Sequence, residues 1–172
     1  DPRVIARGRQ MEYANCIGRD GSFDVQRFAA DLADTDRQLL GAEQLLWLQD
    51  QLAASGATWQ MLGQQVLMGR MNIPAPLVLG QISFSAYSAL VYKAQTAPAT
   101  LTPQEQFILA QPAIPYNLDA WDGYAMARET VLAMARGLNK NLVVLAGDTH
   151  NAWASDLEDY QGNAVGVEFA VA

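Results

Sequence analysis

Apolar residues recur at helical spacing in two long stretches of the chain. Residues 41–54 carry four leucines on one face, and Ser55-Gly56 provides a stop signal. Residues 124–136 repeat the pattern, with Asp122 placed to cap the first turn and Gly137 placed to end the helix. The spacing therefore predicts two amphipathic helices.

Three shorter segments also have helical signals. Asp24 is placed to cap a short helix that carries Val25, Phe28 and Leu32. Thr102-Pro103-Gln104-Glu105 has the spacing of a capping box, which predicts a helix to about Leu109. Residues 69–99 have no sustained period except at 85–93, and we expect an insert or loop with one helical turn or more.

Strand patterns occupy the remaining apolar segments. Residues 59–68 are rich in aromatic and β-branched side chains, 142–146 are continuously apolar, and 163–171 alternate with period two. The first eight residues fit the tail of a strand. The order of elements predicts an α/β fold, in which a mixed β-sheet is flanked by helices.

Length and charge narrow the class of protein. The 172 residues, of which 51% are hydrophobic, suit one domain, and a net charge of −7 opposes sequence-independent binding to nucleic acid. No apolar run approaches the roughly 20 residues that span a bilayer, so no membrane association is expected. The one cysteine, Cys16, cannot form an intrachain disulfide, and an inert buried thiol is expected. The first and last residues suggest a piece of a longer polypeptide.

Candidate chemistry concentrates directly behind the apolar run 142–146. Asp148 and His150 lie two residues apart, so an extended backbone would point both side chains toward one ion, and this donor pair suits zinc, manganese or iron. The alternative is a capped turn with a hydrogen-bonded histidine. Thr149 and Asn151 either orient ligands, contact a phosphoryl oxygen, or only satisfy the turn.

Two further acidic segments have a structural and a functional interpretation. Asp122 either caps the following helix, which is the favoured interpretation, or belongs to a site. Asp156, Glu158 and Asp159 are expected in a solvated loop, with calcium contacts as the alternative. Because the chain has no nucleophile elbow, phosphate-binding glycine loop or His-Glu-x-x-His motif, serine-hydrolase and nucleotide-cofactor functions lack their usual support.

Five ordered blocks of sequence resemble the alkaline phosphatase D family, the PhoD-like phosphodiesterases. They are residues 37–44 with Trp47-Leu48, 59–66, 119–124, 145–150 with Trp153 and Asp156-Leu157, and 167–169. The resemblance implies that residues 1–172 are the C-terminal portion of a metallophosphatase-type αββα sandwich, truncated at both ends. It also implies hydrolysis of small phosphomono- or diesters by metal-bound hydroxide, and a periplasmic or secreted location.

The same resemblance makes His150 a metal ligand and Asp148 a ligand or orienting partner, with Asn151, Thr149 and Asp122 contacting the substrate or supporting the ligands. The ions would be iron and calcium, or zinc or manganese. The family segments that supply most ligands are absent, so we expect the isolated chain to be inactive, with no metal bound, and to need the remainder of its own polypeptide as a partner. The alternatives are a non-catalytic binding or scaffold domain and, less favoured, a calcium-stabilised adhesive or carbohydrate-binding module that uses residues 156–159.

Overall fold

The computed structural model describes residue 13 and residues 15–171. The contacts within the chain divide it into two compact units. One contains the described residues up to Ala29 together with Met71–Tyr116, and the other contains Ala30–Arg70 and the described residues from Asn117 onward. The predicted strand tail in the first eight residues lies outside the described part of the chain.

Helices and strands are numbered in chain order. They are α1 (Val25–Leu32), α2 (Ala42–Ala54), β1 (Gln60–Gly63), β2 (Asn72–Pro74), α3 (Ala75–Val78), α4 (Phe84–Thr96), α5 (Pro103–Ala110), β3 (Ala113–Pro115), α6 (Ala125–Gly137), β4 (Leu142–Ala146), β5 (Trp153–Glu158) and β6 (Ala164–Ala170). Short 3₁₀ turns cover Pro98–Thr100 and Trp121–Gly123. In the part of the chain that is described, no helix has both the length and the apolar character needed to cross a bilayer.

The second unit is built on a four-stranded sheet with the order β1-β4-β6-β5. Strands β1, β4 and β6 run parallel, and β5 pairs antiparallel with β6. This arrangement confirms the predicted mixed sheet. Because the three parallel strands end at the same edge, the segments that follow them meet there.

One face of this sheet forms the core of the second unit. In β4, the side chains of Leu142 and Val144 point toward α2 and α6. The apolar faces of these two helices supply the other half of the core. The buried cluster consists of Leu48, Leu52, Met68, Trp121, Tyr124, Ala127, Val131, Leu132, Ala135, Leu142, Val144, Leu157 and Val165. The predicted helices over 41–54 and 124–136 are confirmed, and each places its apolar side on the sheet.

The opposite face of the sheet is apolar and exposed. Met61 is 65% exposed, Leu145 40% and Phe169 50%. The register aligns Leu145 with Phe169, and the partly buried Val143 with Val167, so these side chains form one continuous surface. We call the surface of these five residues the open face.

The acidic segment after the histidine turn differs from the prediction. Asp156 and Glu158 were expected in a solvated loop, but they lie in β5, at the edge of the sheet. They alternate with Leu157, which is fully buried, and charged residues on an edge strand discourage pairing with other chains. Only Asp159 lies in a loop, where it accepts hydrogen bonds from the backbone N–H groups of Gln161 and Asn163, both at 2.9 Å.

Two boundaries around the sheet also differ from the prediction. The strand expected over 59–68 ends at Gly63, because the chain then leaves the sheet as a loop. Asp122 does not cap α6: the N-cap residue is Tyr124, and no side chain caps that helix. Asp122 lies instead inside the preceding 3₁₀ turn, where it is buried.

The first unit contains the two-stranded antiparallel sheet of β2 and β3 with helices α3, α4 and α5. The capping box is confirmed, since Thr102 accepts from the Glu105 N–H at 3.3 Å and Glu105 accepts from the Thr102 N–H at 2.7 Å. The expected insert is more regular than predicted, because the Ser83 side chain caps α4 by accepting from the Ala86 N–H. Cys16 is buried, as expected of an inert thiol.

The two faces of β4 predict different losses of stability when a leucine is replaced by alanine. Leu142→Ala removes a side chain that is 2% exposed, so it should lower the free energy of unfolding by about 2–5 kcal/mol. Leu145→Ala changes the open face of the isolated chain and should cost less than about 1 kcal/mol. Urea denaturation of both variants measures the difference. Equal losses would contradict the assignment of faces.

Candidate functional site

The candidate site lies at the edge of the sheet where β1, β4 and β6 end. Residues 147–151, which we call the β4 turn, follow β4 at this edge and contain Asp148 and His150. The Gly147 N–H donates to the carbonyl of Gln65 at 3.1 Å, and the Val171 N–H donates to the carbonyl of Ala146 at 3.1 Å. The turn is therefore anchored to the segments that follow both neighbouring strands.

The backbone of the β4 turn is not extended, contrary to the expectation for Asp148 and His150. Asp148 has φ 67° and His150 has φ 55°, both in the left-handed region. The Thr149 N–H donates to the carbonyl of Gly147 at 2.8 Å, which closes a three-residue turn around Asp148. Left-handed backbone costs a residue with a Cβ about 1–2 kcal/mol, so this turn stores conformational strain.

Strained non-glycine residues cluster at sites of ligand binding or catalysis, where the surrounding structure holds them in place. The side chains of Asp148 and His150 are exposed at the strand edge, so both can reach a ligand. A carboxylate and a neutral imidazole are metal donors. This observation favours the ligand interpretation of the pair over a turn that is only structural.

The donors for a metal ion are incomplete in this part of the polypeptide. Among residue 13 and residues 15–171, no group of three or more His, Cys, Asp or Glu side chains is arranged to hold a metal ion. Asp148 and His150 are two donors of the types that metal ions bind, and a complete metal shell would need further ligands.

Asn151 and Thr149 differ in what they offer to a ligand. The indole N–H of Trp153 donates to Oδ1 of Asn151, and Asn151 is exposed. The hydroxyl oxygen of Thr149 is buried and has no hydrogen-bond partner among the described residues. Asn151 therefore faces solvent with a fixed amide, while the Thr149 hydroxyl is enclosed within the turn.

Asp122 lies close enough to the buried Arg128 for their charges to interact. Burial lowers the pKa of the Arg128 guanidinium, as does the charge of Arg70, whereas the negative charges of Glu129 and Asp122 act in the opposite direction. Asp122 thus helps to balance the buried charge of Arg128. Its burial argues against direct contact between this carboxylate and a substrate.

Several residues near this edge were not singled out as site residues in the sequence. The loop after β1, residues 64–70, is held by the Trp121 indole, which donates to Oε1 of Gln64 at 3.0 Å, and by the buried side chains of Arg128 and Glu168. One signal existed: Glu168 interrupts an otherwise apolar strand. A charged residue in such a pattern indicates an edge, a partner or a functional role.

Alanine variants are usually more stable than glycine variants, and the strained turn predicts the reverse order at a left-handed position. At His150 the glycine variant should be about 0.5–1 kcal/mol more stable than the alanine variant, because glycine adopts positive φ without the Cβ penalty. At the neighbouring Thr149, which is not left-handed, alanine should be the more stable of the two. Denaturation of the four variants checks this, and the same order at both positions would contradict the turn geometry.

Comparison with known proteins identifies the family of this chain. Residues 1–172 match the family model described as PhoD-like phosphatase. Alkaline phosphatase D of Bacillus subtilis (strain 168) is 30% identical over 179 residues, which cover 94% of this chain and 24% of that protein. The solved structure described as "Structure of PhoD" aligns with a TM-score of 0.54 at 30% identity, over 81% of this chain and 21% of that one. The chain spans about a quarter of the length of the curated relative, and it belongs to the PhoD-like phosphatase family.

Proposed function

We propose that the complete protein is a metal-dependent phosphoesterase and that Asp148 and His150 supply part of its metal shell. The observation that carries this proposal is the strained, exposed turn that presents a carboxylate and an imidazole where parallel strands end. Membership of the PhoD-like phosphatase family supports the reaction class. The substrates are small phosphomono- or diesters.

The donor types suit more than one metal. Imidazole binds iron, zinc and manganese, while carboxylate also binds calcium. A bound ion would supply Lewis-acid chemistry, which activates water and neutralises negative charge on the phosphoryl group. Because two donors do not complete a hydrolytic centre, we propose that the isolated 172-residue chain is inactive and that other parts of the polypeptide bring the remaining ligands.

Asn151 is proposed to contact a phosphoryl oxygen. An indole N–H can only donate, so the atom of Asn151 bound to Trp153 is its oxygen. The amide nitrogen, with two N–H groups, is left to face solvent at the edge of the sheet. Phosphoryl oxygens accept such hydrogen bonds, whereas a metal ion would require the oxygen that Trp153 already binds.

Thr149 and Asp122 are proposed to support the site without contacting the substrate. The Thr149 hydroxyl lies enclosed beneath the turn, where it can orient the backbone between Asp148 and His150. Asp122 is buried beside Arg128, which holds the neighbouring loop. In both roles the side chain stabilises the residues that contact the ligand and does not contact the ligand itself.

The remainder of the polypeptide is the proposed partner of the open face. Met61, Leu145 and Phe169 expose apolar surface that a soluble domain seldom leaves uncovered over several strands. The chain spans about a quarter of its curated relative, so the relative has ample sequence for a second layer. The same layer would carry further metal ligands to the strand edge.

Replacement of His150 tests the catalytic proposal directly. In the complete protein, His150→Ala should lower kcat/KM on aryl phosphomonoesters and diesters by more than about 100-fold and reduce the metal content, because one strong donor is lost. Metal analysis, turnover and thermal melting are measured together. Unchanged turnover and metal would contradict the role of His150. A complete protein without any turnover would favour the non-catalytic binding domain.

The role of Trp153 has its own test. Trp153→Phe keeps the aromatic ring but removes the N–H that holds Asn151, so kcat/KM of the complete protein should fall about 10-fold. The matched control is Trp59→Phe, since Trp59 is also exposed but precedes β1, at the other end of the sheet. Equal activities of the two variants would show that Asn151 does not need the indole.

A further inference from the structure

We infer that Glu168 is a positioning residue for the Asp148–His150 turn and that it acts through the loop after β1, residues 64–70. We call this segment the β1 loop. Glu168 lies in the middle of β6 and does not reach solvent or the turn itself. Its importance for turnover rests on the proposed function, whereas its effect on the turn can be measured without any reaction.

The carboxylate of Glu168 binds two consecutive backbone N–H groups. Oε1 accepts from Met68 and Oε2 accepts from Gly69, both at 2.7 Å, and the Glu168 residue is 0% exposed. Burial raises the pKa of the Glu168 carboxyl, while the two hydrogen bonds and the charge of Arg128 act in the opposite direction. Burying a carboxylate is costly, so its retention needs such specific bonds.

Arg128 holds the same peptide unit from its other side. Its Nε donates to the carbonyl of Met68 at 2.8 Å, and one terminal nitrogen donates to the carbonyl of Glu158 at 3.1 Å. Met68 thus has its N–H bound by a carboxylate and its carbonyl bound by a guanidinium. These two side chains replace the strand partners that the β1 loop lost on leaving the sheet.

The backbone at position 69 passes close to Ser155 of β5 and to Glu168 of β6, and this close approach favours glycine. A Cβ on Gly69 would lie 2.7 Å from Oγ of Ser155 and 3.0 Å from Oε2 of Glu168. Contacts this short would displace either the loop or the carboxylate. The fit between Gly69 and β6 therefore fixes the position of the loop along the strand.

The fixed loop then anchors the β4 turn. The carbonyl of Gln65 accepts from the N–H of Gly147, the residue that precedes Asp148, and the N–H of Gln64 donates to the carbonyl of Leu145 at 3.0 Å. Trp121 holds the middle of the loop, because its backbone N–H donates to the carbonyl of Leu67 at 3.2 Å. A displacement of Met68 and Gly69 would thus reach Asp148 through one short, hydrogen-bonded segment.

The test uses His150 as a reporter, because it is the only histidine in the chain. In the isotopically labelled 172-residue chain, Cε1 of His150, the carbon between the two ring nitrogens, and its attached proton give one peak in a carbon–proton NMR spectrum. Glu168→Gln places an amide NH₂ against a backbone N–H, so one of the two bonds is lost. The His150 peak should move or broaden, and amide exchange should accelerate about 10- to 100-fold at whichever of Met68 and Gly69 loses its acceptor.

Asp159→Asn is the matched control. It also changes a carboxylate that accepts backbone N–H groups, but in the turn between β5 and β6, away from the strand edge that carries His150. It should lower thermal stability without moving the His150 peak. If Glu168→Gln lowers stability and leaves the His150 peak in place, Glu168 only supports the fold and the inference is overturned.

A milder variant covers the case in which Glu168→Gln does not fold. Arg128→Lys keeps the positive charge but removes the Nε donor to Met68, so it should move the His150 peak in the same direction by a smaller amount. A folded Arg128→Lys chain with an unchanged His150 peak would likewise overturn the inference. Neither result depends on turnover, so failure here is distinct from failure of the proposed function.

Discussion

The parallel pairing of β4 with both β1 and β6 is the constraint on which the rest of the second unit depends. It brings the ends of three strands to one edge, where the chain must turn back without further ladder partners. The turn after β4 and the loop after β1 meet there and bond to each other through Gly147 and Gln65. Strand direction thus decides where the candidate site residues Asp148 and His150 lie.

Buried charge is the second constraint, because a buried carboxylate and a buried guanidinium bind the backbone of the β1 loop. An apolar side chain at position 168 would avoid the cost of burying a carboxylate, but it would leave two N–H groups of the β1 loop without acceptors. Without Arg128, the carbonyl of Met68 would likewise lose its hydrogen-bond donor. The pair thus binds the N–H and the carbonyl of Met68 and holds the β1 loop where it leaves the sheet.

Residue patterns predicted the helices over 41–54 and 124–136 and the strand over 142–146, but not the faces of the last strand. Residues 142–146 are continuously apolar and Asp148 and His150 follow at once, so the sequence predicts the location of the candidate site. In β6, hydrophobicity would place Phe169 inside, yet the structure buries Glu168 and exposes Phe169. The reason lies in the loop 100 residues earlier, whose N–H groups need the carboxylate.

The left-handed turn and the edge strand β5 were missed for similar reasons. Asp148 and His150 have positive φ in a turn that is anchored at Gly147 to Gln65, a contact that the sequence near the turn does not reveal. Strand β5 has one buried apolar residue, Leu157, between charged neighbours, so its pattern is that of a loop until β6 supplies a partner. In both cases a contact between distant segments decides the local conformation.

The width of the open face limits how wide the proposed covering layer could be. Its apolar residues lie on β1, β4 and β6, whereas β5 presents Asp156 on that side of the sheet, opposite Val167. Adjacent strands are roughly 4.8 Å apart, so the apolar band is about 10 Å across between its outer strands. A layer laid on this band would contact three strands and would end before the fourth, so the charged edge strand β5 would stay in contact with water.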